Sequence, residues 1–163
     1  FAGTPFVLPA LSATGHDQEA CDLLLSMQCP SWLYQVKMGA TTTWERWDSM
    51  REDGSLNPGG MTSFNHYALG SVAEWLHSRV GGLEAIEPGW KRFRVSPRAY
   101  AALDHASTSH ITPYGKASVS WMAAPGKLDL EVTVPVGTSA VIDLPDHEPV
   151  ELGAGAHHLT MAL

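Results

Sequence analysis

The chain reads as an all-α segment followed by an all-β segment, and three observations carry that reading. Apolar residues recur at helical spacing as far as Val80, short alternating runs replace them beyond Gly82, and seven of the 11 prolines lie beyond residue 80. Gly81-Gly82 and Pro88-Gly89 cluster where the pattern changes, which predicts a helical domain over 1–82 and a β domain over 83–163. The spacing of strands and turns in the second domain predicts a small antiparallel β-sandwich.

Each element has its own signal. Thr14-Gly15-His16-Asp17 has capping-box spacing and predicts a helix from near His16, with Ala20, Leu23, Leu24 and Met27 as its buried stripe. Cys29-Pro30 ends it. A second helix is expected over Ser31–Met38, with Gly39 as its C-terminal stop. A third runs through Phe64, Tyr67, Ala68, Val72, Trp75, Leu76 and Arg79 until Gly81-Gly82. Between the second and third, residues 40–63 have no period and carry the turn formers Asp53-Gly54, Asn57-Pro58 and Gly59-Gly60. A loop of that length is either functional or disordered, and Thr41-Thr42-Thr43-Trp44-Glu45-Arg46-Trp47-Asp48 is too aromatic for a linker. A functional loop is expected. In the second half, strands are predicted at Phe93–Val95, Ala117–Trp121, Leu128–Val134 and Ala140–Leu144. Leu128, Leu130, Val132 and Val134 alternate with Asp129, Glu131 and Thr133, the pattern of a sheet with one wet face.

Composition removes several functional classes. A hydrophobic content of 44% over 163 residues is ample for a core, and no run reaches the length of a membrane span. A net charge of −7 argues against nucleic acid or an anionic membrane as partner. Cys21 and Cys29 form no Cys-x-x-Cys, and neither a glycine-rich phosphate loop nor a His-Glu-x-x-His motif occurs, so neither cofactor nor metal is expected. Whether the two cysteines pair stays open, and with it the choice between a cytoplasmic and a secreted soluble protein. The start at Phe1-Ala2-Gly3-Thr4-Pro5, with no initiator Met and no signal core, suggests a fragment.

Four of the six tryptophans lie between Trp32 and Trp75, which tilts the helical half toward a carbohydrate cleft. In it, Trp44 and Trp47 can stack on sugar rings while Glu45 between them acts as a base or nucleophile. A structural pairing of Glu45 with Arg46 or another cation, on a surface whose tryptophans anchor the loop, is an equal reading at this point. Asp48 and Asn65 can hydrogen-bond sugar hydroxyls or serve turns and caps. His66, near a predicted helix start, suits a hydrogen bond to a substrate hydroxyl, against the commoner role of a packed histidine. Lys91, Arg92, Arg94 and Arg98 make either an anion-binding face or, more commonly, a charged sheet edge. Trp75, on the helical stripe, reads as core.

The strings Pro30-Ser31-Trp32-Leu33-Tyr34, Gly39-Ala40-Thr41-Thr42-Thr43-Trp44-Glu45-Arg46-Trp47-Asp48 and Met61-Thr62-Ser63-Phe64-Asn65-His66-Tyr67-Ala68-Leu69-Gly70 resemble the C-terminal part of the bacterial α-L-rhamnosidases of glycoside hydrolase family 78. The opening Phe1-Ala2-Gly3-Thr4-Pro5 belongs to the same resemblance. Tyr114-Gly115-Lys116 and Ser120-Trp121 extend it to that family's C-terminal β-sandwich, so it covers nearly the whole chain. Glu45 and His66, 21 residues apart, are its most specific part. The resemblance implies the last helices of an (α/α)6 barrel followed by the sandwich, and hydrolysis of terminal α-L-rhamnosides with inversion. It implies Glu45 as the general base and His66 as a rhamnose contact; Trp44, Trp47 and Asn65, read from the residues, are the further substrate-binding candidates. The family's general acid lies far upstream and nothing in this chain matches it, so the expected partners are a rhamnoside substrate and an absent N-terminal part of the same enzyme. Two other readings are a non-catalytic carbohydrate-binding or scaffold module, and an (α/α)6-barrel hydrolase for another sugar.

Overall fold

A computed structural model describes residues 3–100 and 102–163; Phe1 and Ala2 of the opening string, and Ala101, lie outside the described residues. The chain divides into two compact units, 1–75 and 76–163.

The first unit begins with helix α1 (Thr4–Ala13), which sequence periodicity did not predict. Pro5 sits at the second helical position, where no N–H is needed, and Pro9 lies inside the helix. Leu8 and Ser12, one turn apart, form its buried face. Helix α2 (Asp17–Leu25) starts where the sequence places it, but not through a capping box. The Thr14 hydroxyl points backward, donating to the Ala10 and Leu11 carbonyls at 2.8 and 3.1 Å, because it closes the unpredicted α1. Asp17 and Glu19 occupy the positive first turn of α2. Hydrogen bonding from its own backbone amide, then from His16, holds the Glu19 carboxyl below its ordinary range.

Helix α3 (Trp32–Lys37) matches the expected second helix. Its cap is Ser31, whose hydroxyl accepts the Leu33 N–H at 3.2 Å and donates to the Leu24 carbonyl at 3.1 Å. Ser31 is fully buried, so neither partner finds water as a substitute. Ser31→Ala is expected to cost about 1–2 kcal/mol, read as a lower denaturant midpoint at an unchanged m-value.

The third predicted helix is shorter and less regular than its periodicity implies. A 3-10 turn spans Ala68–Ser71 and α4 covers only Val72–Trp75, so Phe64 and Tyr67 lie outside any helix. The Ser63 and His66 N–H groups are committed to the 42–45 segment and that of Asn65 to the Ser63 hydroxyl, so this stretch does not open a helix. Trp75 is core as expected, its indole N–H donating to the Ser12 hydroxyl at 2.9 Å. Phe6, Val36 and Met61 of this unit remain 70%, 61% and 62% exposed.

The second unit opens with a π-helical turn (Leu76–Val80), and among its described residues eight strands form two four-stranded sheets. Strands β1 (Leu83–Ala85), β2 (Arg92–Val95), β6 (Ser139–Ile142) and β7 (Val150–Leu152) form one sheet in the order β1-β2-β6-β7. The other has the order β3-β4-β5-β8, from β3 (His105–Thr112), β4 (Gly115–Ala124), β5 (Lys127–Val134) and β8 (Gly155–Ala162). Phe93 and Val95 of the first sheet, and Val119, Trp121, Leu128, Leu130, Val132 and Val134 of the second, are buried. The predicted alternation along β5 holds residue by residue, with the four apolar side chains inside. The Trp121 indole N–H, taken into that core, donates to the Val80 carbonyl at 2.7 Å.

Two expectations are corrected here. The sandwich is not wholly antiparallel: β2 and β6 pair in parallel, Phe93 opposite Ala140 and Val95 opposite Ile142. Alternation reports which face a strand buries, not its direction, and the whole of β3-β4-β5 serves as the crossover. Arg92 and Arg94 of the basic run lie on no sheet edge and are paired with carboxylates. Strand β2 is internal to its sheet. Arg92 pairs with Glu151, and Arg94 pairs with Glu84 at 3.0 Å and Asp143 at 3.2 Å.

Candidate active site

The expected functional loop is built on two extended segments that run past each other in opposite directions. The Glu45 N–H donates to the Ser63 carbonyl at 2.8 Å, and the His66 N–H to the Thr43 carbonyl at 2.9 Å. Threonine side chains close the seam: the Thr43 hydroxyl donates to the His66 carbonyl at 2.6 Å, and that of Thr42 to the Phe64 carbonyl. Residues far apart in the chain are thereby fixed side by side. Sequence reasoning missed Thr42, Thr43 and Ser63 in this role; the β-branched run 41–43 facing a second short polar-aromatic run is the signal that carries it.

The seam sets the carboxylate. Glu45 Oε2 accepts the Ser63 N–H at 3.2 Å, while Oε1 lies 4.0 Å from His66 Nε2. The side chains of Glu45 and His66 are 13% and 19% exposed, so both are sheltered yet reachable. Arg46 does not pair with Glu45; its guanidinium turns to Asp48 at 3.2 Å. The other Asp48 oxygen accepts the Asn57 amide at 2.7 Å, so Asp48 braces the loop. Both its oxygens are then engaged by protein.

Helix α3 supports the segment just after Glu45. The Gln35 amide donates to the Arg46 carbonyl at 3.2 Å, and the Tyr34 hydroxyl to the Met50 carbonyl at 2.8 Å. Burial pushes the Tyr34 hydroxyl above its ordinary range, which keeps it a donor. Trp32 packs edge-on against Trp47 with ring centroids 4.6 Å apart, and its indole N–H donates to the Leu69 carbonyl at 2.8 Å. Glu45, Arg46, Trp47 and Asp48 line a cleft of about 210 Å³ together with Thr4 and Leu69.

The other residues singled out from sequence fall into two groups. Trp47 is half-buried at the cleft and Asn65 is exposed on the 63–66 segment, its N–H bonded to the Ser63 hydroxyl at 3.1 Å. Trp44 is different. It is 2% exposed and packs edge-to-face on Phe64 at 5.1 Å, so it has no free ring face for a sugar. The expectation of Trp44 as a sugar-stacking residue is corrected: its indole is taken up by packing on Phe64, while the cleft is lined by the four residues that follow it. Cys21 is buried and Cys29 exposed, and both are free thiols. Among the described residues no group of three or more His, Cys, Asp or Glu side chains is placed to hold a metal ion, and no helix is long and apolar enough to cross a membrane.

The chain is similar to proteins described as α-L-rhamnosidases. The model of the bacterial α-L-rhamnosidase 6-hairpin glycosidase domain matches residues 1–80, and that of the bacterial α-L-rhamnosidase C-terminal domain matches residues 82–158. An α-L-rhamnosidase of Formosa agariphila is 40% identical over 145 residues, covering 89% of this chain and 16% of that protein. One from Streptomyces avermitilis is 34% identical over 99% of this chain and 18% of its own length. Among solved structures, the native α-L-rhamnosidase of Aspergillus terreus superposes with a TM-score of 0.93 at 47% identity, over 98% of this chain and 19% of that one. The Streptomyces avermitilis α-L-rhamnosidase complexed with L-rhamnose gives 0.91 at 34% identity, over 98% and 17%. The chain thus spans less than a fifth of each of these four relatives. Two adjoining domain matches and relatives of a single description lead to one conclusion: this chain belongs to the bacterial α-L-rhamnosidase family.

Proposed function

We propose that this chain is the C-terminal part of an inverting glycoside hydrolase that removes terminal α-L-rhamnose, with Glu45 as its general base. The observation that carries the reading is the setting of Glu45: one oxygen held by the Ser63 amide, the other turned toward His66, on the wall of a cleft. A carboxylate oriented by a backbone donor and not neutralised by its neighbouring arginine is suited to accept a proton from water. The water oxygen then bonds to the anomeric carbon as the glycosidic C–O bond breaks on the opposite face, and a protonated acid gives its proton to the departing oxygen. Inverting enzymes hold the two carboxyl groups roughly 6.5–9.5 Å apart to admit that water. The acid belongs to the remainder of the enzyme, as the resemblance implies. His66 donates to a rhamnose hydroxyl through Nε2–H, Trp47 floors the sugar, and Asn65 adds an exposed amide at the rim.

The helical unit is on this reading the last part of an (α/α)6 barrel, with the domain boundary at 82/83. Exposed Phe6 on α1 and Val36 on α3 support it, since a barrel helix needs neighbours on more than one face. The 163-residue chain alone is therefore expected to show no turnover of an aryl α-L-rhamnoside above the uncatalysed rate, for want of the acid. A rate near that of a full-length enzyme would overturn the division of the catalytic pair. The base assignment itself is tested by Glu45→Gln in the full-length protein, and sugar specificity by a panel of aryl glycosides against the same protein.

A further inference from the structure

Tyr67 is a large apolar ring that is 81% exposed, yet it is not loose. Its ring lies over the His66 imidazole, centroids 4.7 Å apart and planes 23° from parallel. On the same imidazole, Nδ1 accepts the Ala68 N–H at 3.2 Å. A backbone N–H can only donate, so Nδ1 carries no proton in this arrangement and the ring hydrogen sits on Nε2. Nε2 is the atom that faces Glu45 Oε1 at 4.0 Å. The backbone on both sides of the ring is also held, since the His66 N–H and carbonyl both bond to Thr43 and the Tyr67 carbonyl accepts the Gly70 N–H at 3.0 Å.

We propose that Tyr67 is a positioning residue for the reaction: stacked on His66, it holds the imidazole in the plane in which the Ala68 amide selects the Nε2–H tautomer and aims that hydrogen at the Glu45 side of the cleft. The Ala68 bond alone fixes one atom and leaves the ring free to swing about its Cβ–Cγ bond. The stacked phenol blocks that swing from one face. Its hydroxyl has no part in this, so the ring and not the O–H carries the role. The inference rests on the reading of His66 as a sugar contact.

The test is a double-mutant cycle in the full-length protein, read as kcat and KM on an aryl α-L-rhamnoside and as affinity for free L-rhamnose by calorimetry. Tyr67→Phe is expected to stay within about twofold of wild type. Tyr67→Ala is expected to lose about tenfold in kcat/KM, a coupling of ordinary size for residues in contact, and to move the same parameter that His66→Ala moves. In the His66→Ala background, Tyr67→Ala is expected to add nothing. Losses that multiply instead would mean that Tyr67 meets the sugar directly, and an unchanged Tyr67→Ala would mean that the stack does nothing; either overturns the proposal. Tyr67 lies outside the buried core of this unit, and a rhamnose-binding stoichiometry unchanged from wild type reports a folded variant. If Glu45→Gln retained turnover, the base assignment would fall by itself, whereas the rhamnose-binding arm of the cycle would still decide the role of Tyr67.

Discussion

Glu45→Gln in the full-length protein is expected to lower kcat by about 10²–10⁴, the usual contribution of a positioned general base, with KM changed only a few-fold. Glutamine has nearly the same shape and keeps a carbonyl oxygen for the Ser63 N–H, so the seam between segments 42–45 and 63–66 survives. Its stability cost is expected to stay near 0.5 kcal/mol. What is lost is the ability to take a proton from water. Azide needs no such help, because it attacks without giving up a proton. Added azide is therefore expected to restore part of the lost turnover and to yield a rhamnosyl azide of inverted configuration. Turnover near wild type in the glutamine variant would remove Glu45 from the chemistry and favour a scaffold role for this chain.

The second large effect is structural. Gly82 has φ +78, and a Cβ built on it would stand 2.2 Å from the Pro97 nitrogen and 2.5 Å from its Cα. Those are backbone atoms and they have nowhere to go. The Ser96 N–H donates to the Gly82 carbonyl at 2.8 Å, the Arg98 N–H to the Arg79 carbonyl at 3.0 Å, and the Ser96 hydroxyl is tied to the Asp143 carbonyl. Gly126 is the control, with φ +70 and nothing within 4 Å of the same added atom. Gly126→Ala carries only the left-handed backbone cost of about 1–2 kcal/mol. Gly82→Ala adds an overlap of about 1–3 kcal/mol or more to that cost. Denaturant melts of the two variants are expected to differ by at least the overlap, with Gly82→Ala the less stable. Equal losses would show that the 96–98 segment yields freely, contrary to its hydrogen bonding.

How far the fold was legible depends on how much of each element's burial is written as periodicity. Helix α3 was legible from its Ser31 start and Gly39 stop, and α2 from Ala20 and Leu24 on its buried face. But α2 ends at Leu25, before Cys29-Pro30, and leaves the expected stripe residue Met27 outside it and exposed. Strand β5 was legible because every second residue is aliphatic. Helix α1 was not, since Phe6, Val7 and Leu8 are apolar all round and Pro5 and Pro9 argue against a helix. Strand β3 escaped for the opposite reason. Its sequence His105–Thr112 is mostly Ser, Thr and His, and it is held by eight register partners on β4 and not by an apolar face of its own. The third predicted helix was over-extended because Phe64 and Tyr67 keep helical spacing while their backbone pairs with residues 42–45 or precedes the 3-10 turn.

By itself, the sequence determined which residue types are present and where their pattern changes: a helical first half, a strand-rich second half, and an acidic-aromatic loop with a histidine 21 residues beyond its glutamate. Those are local properties, set by side-chain volume, polarity and near-neighbour spacing. The tertiary structure decided what non-local pairing alone can decide. It brought His66 to Glu45, turned Trp44 inward onto Phe64 and left Trp47 at the cleft, gave Arg46 to Asp48, and set β2 parallel to β6. The physical reason is that spacing tells which residues share a face, whereas partners across a seam or a sheet are chosen by hydrogen-bond satisfaction and packing between segments distant in the chain.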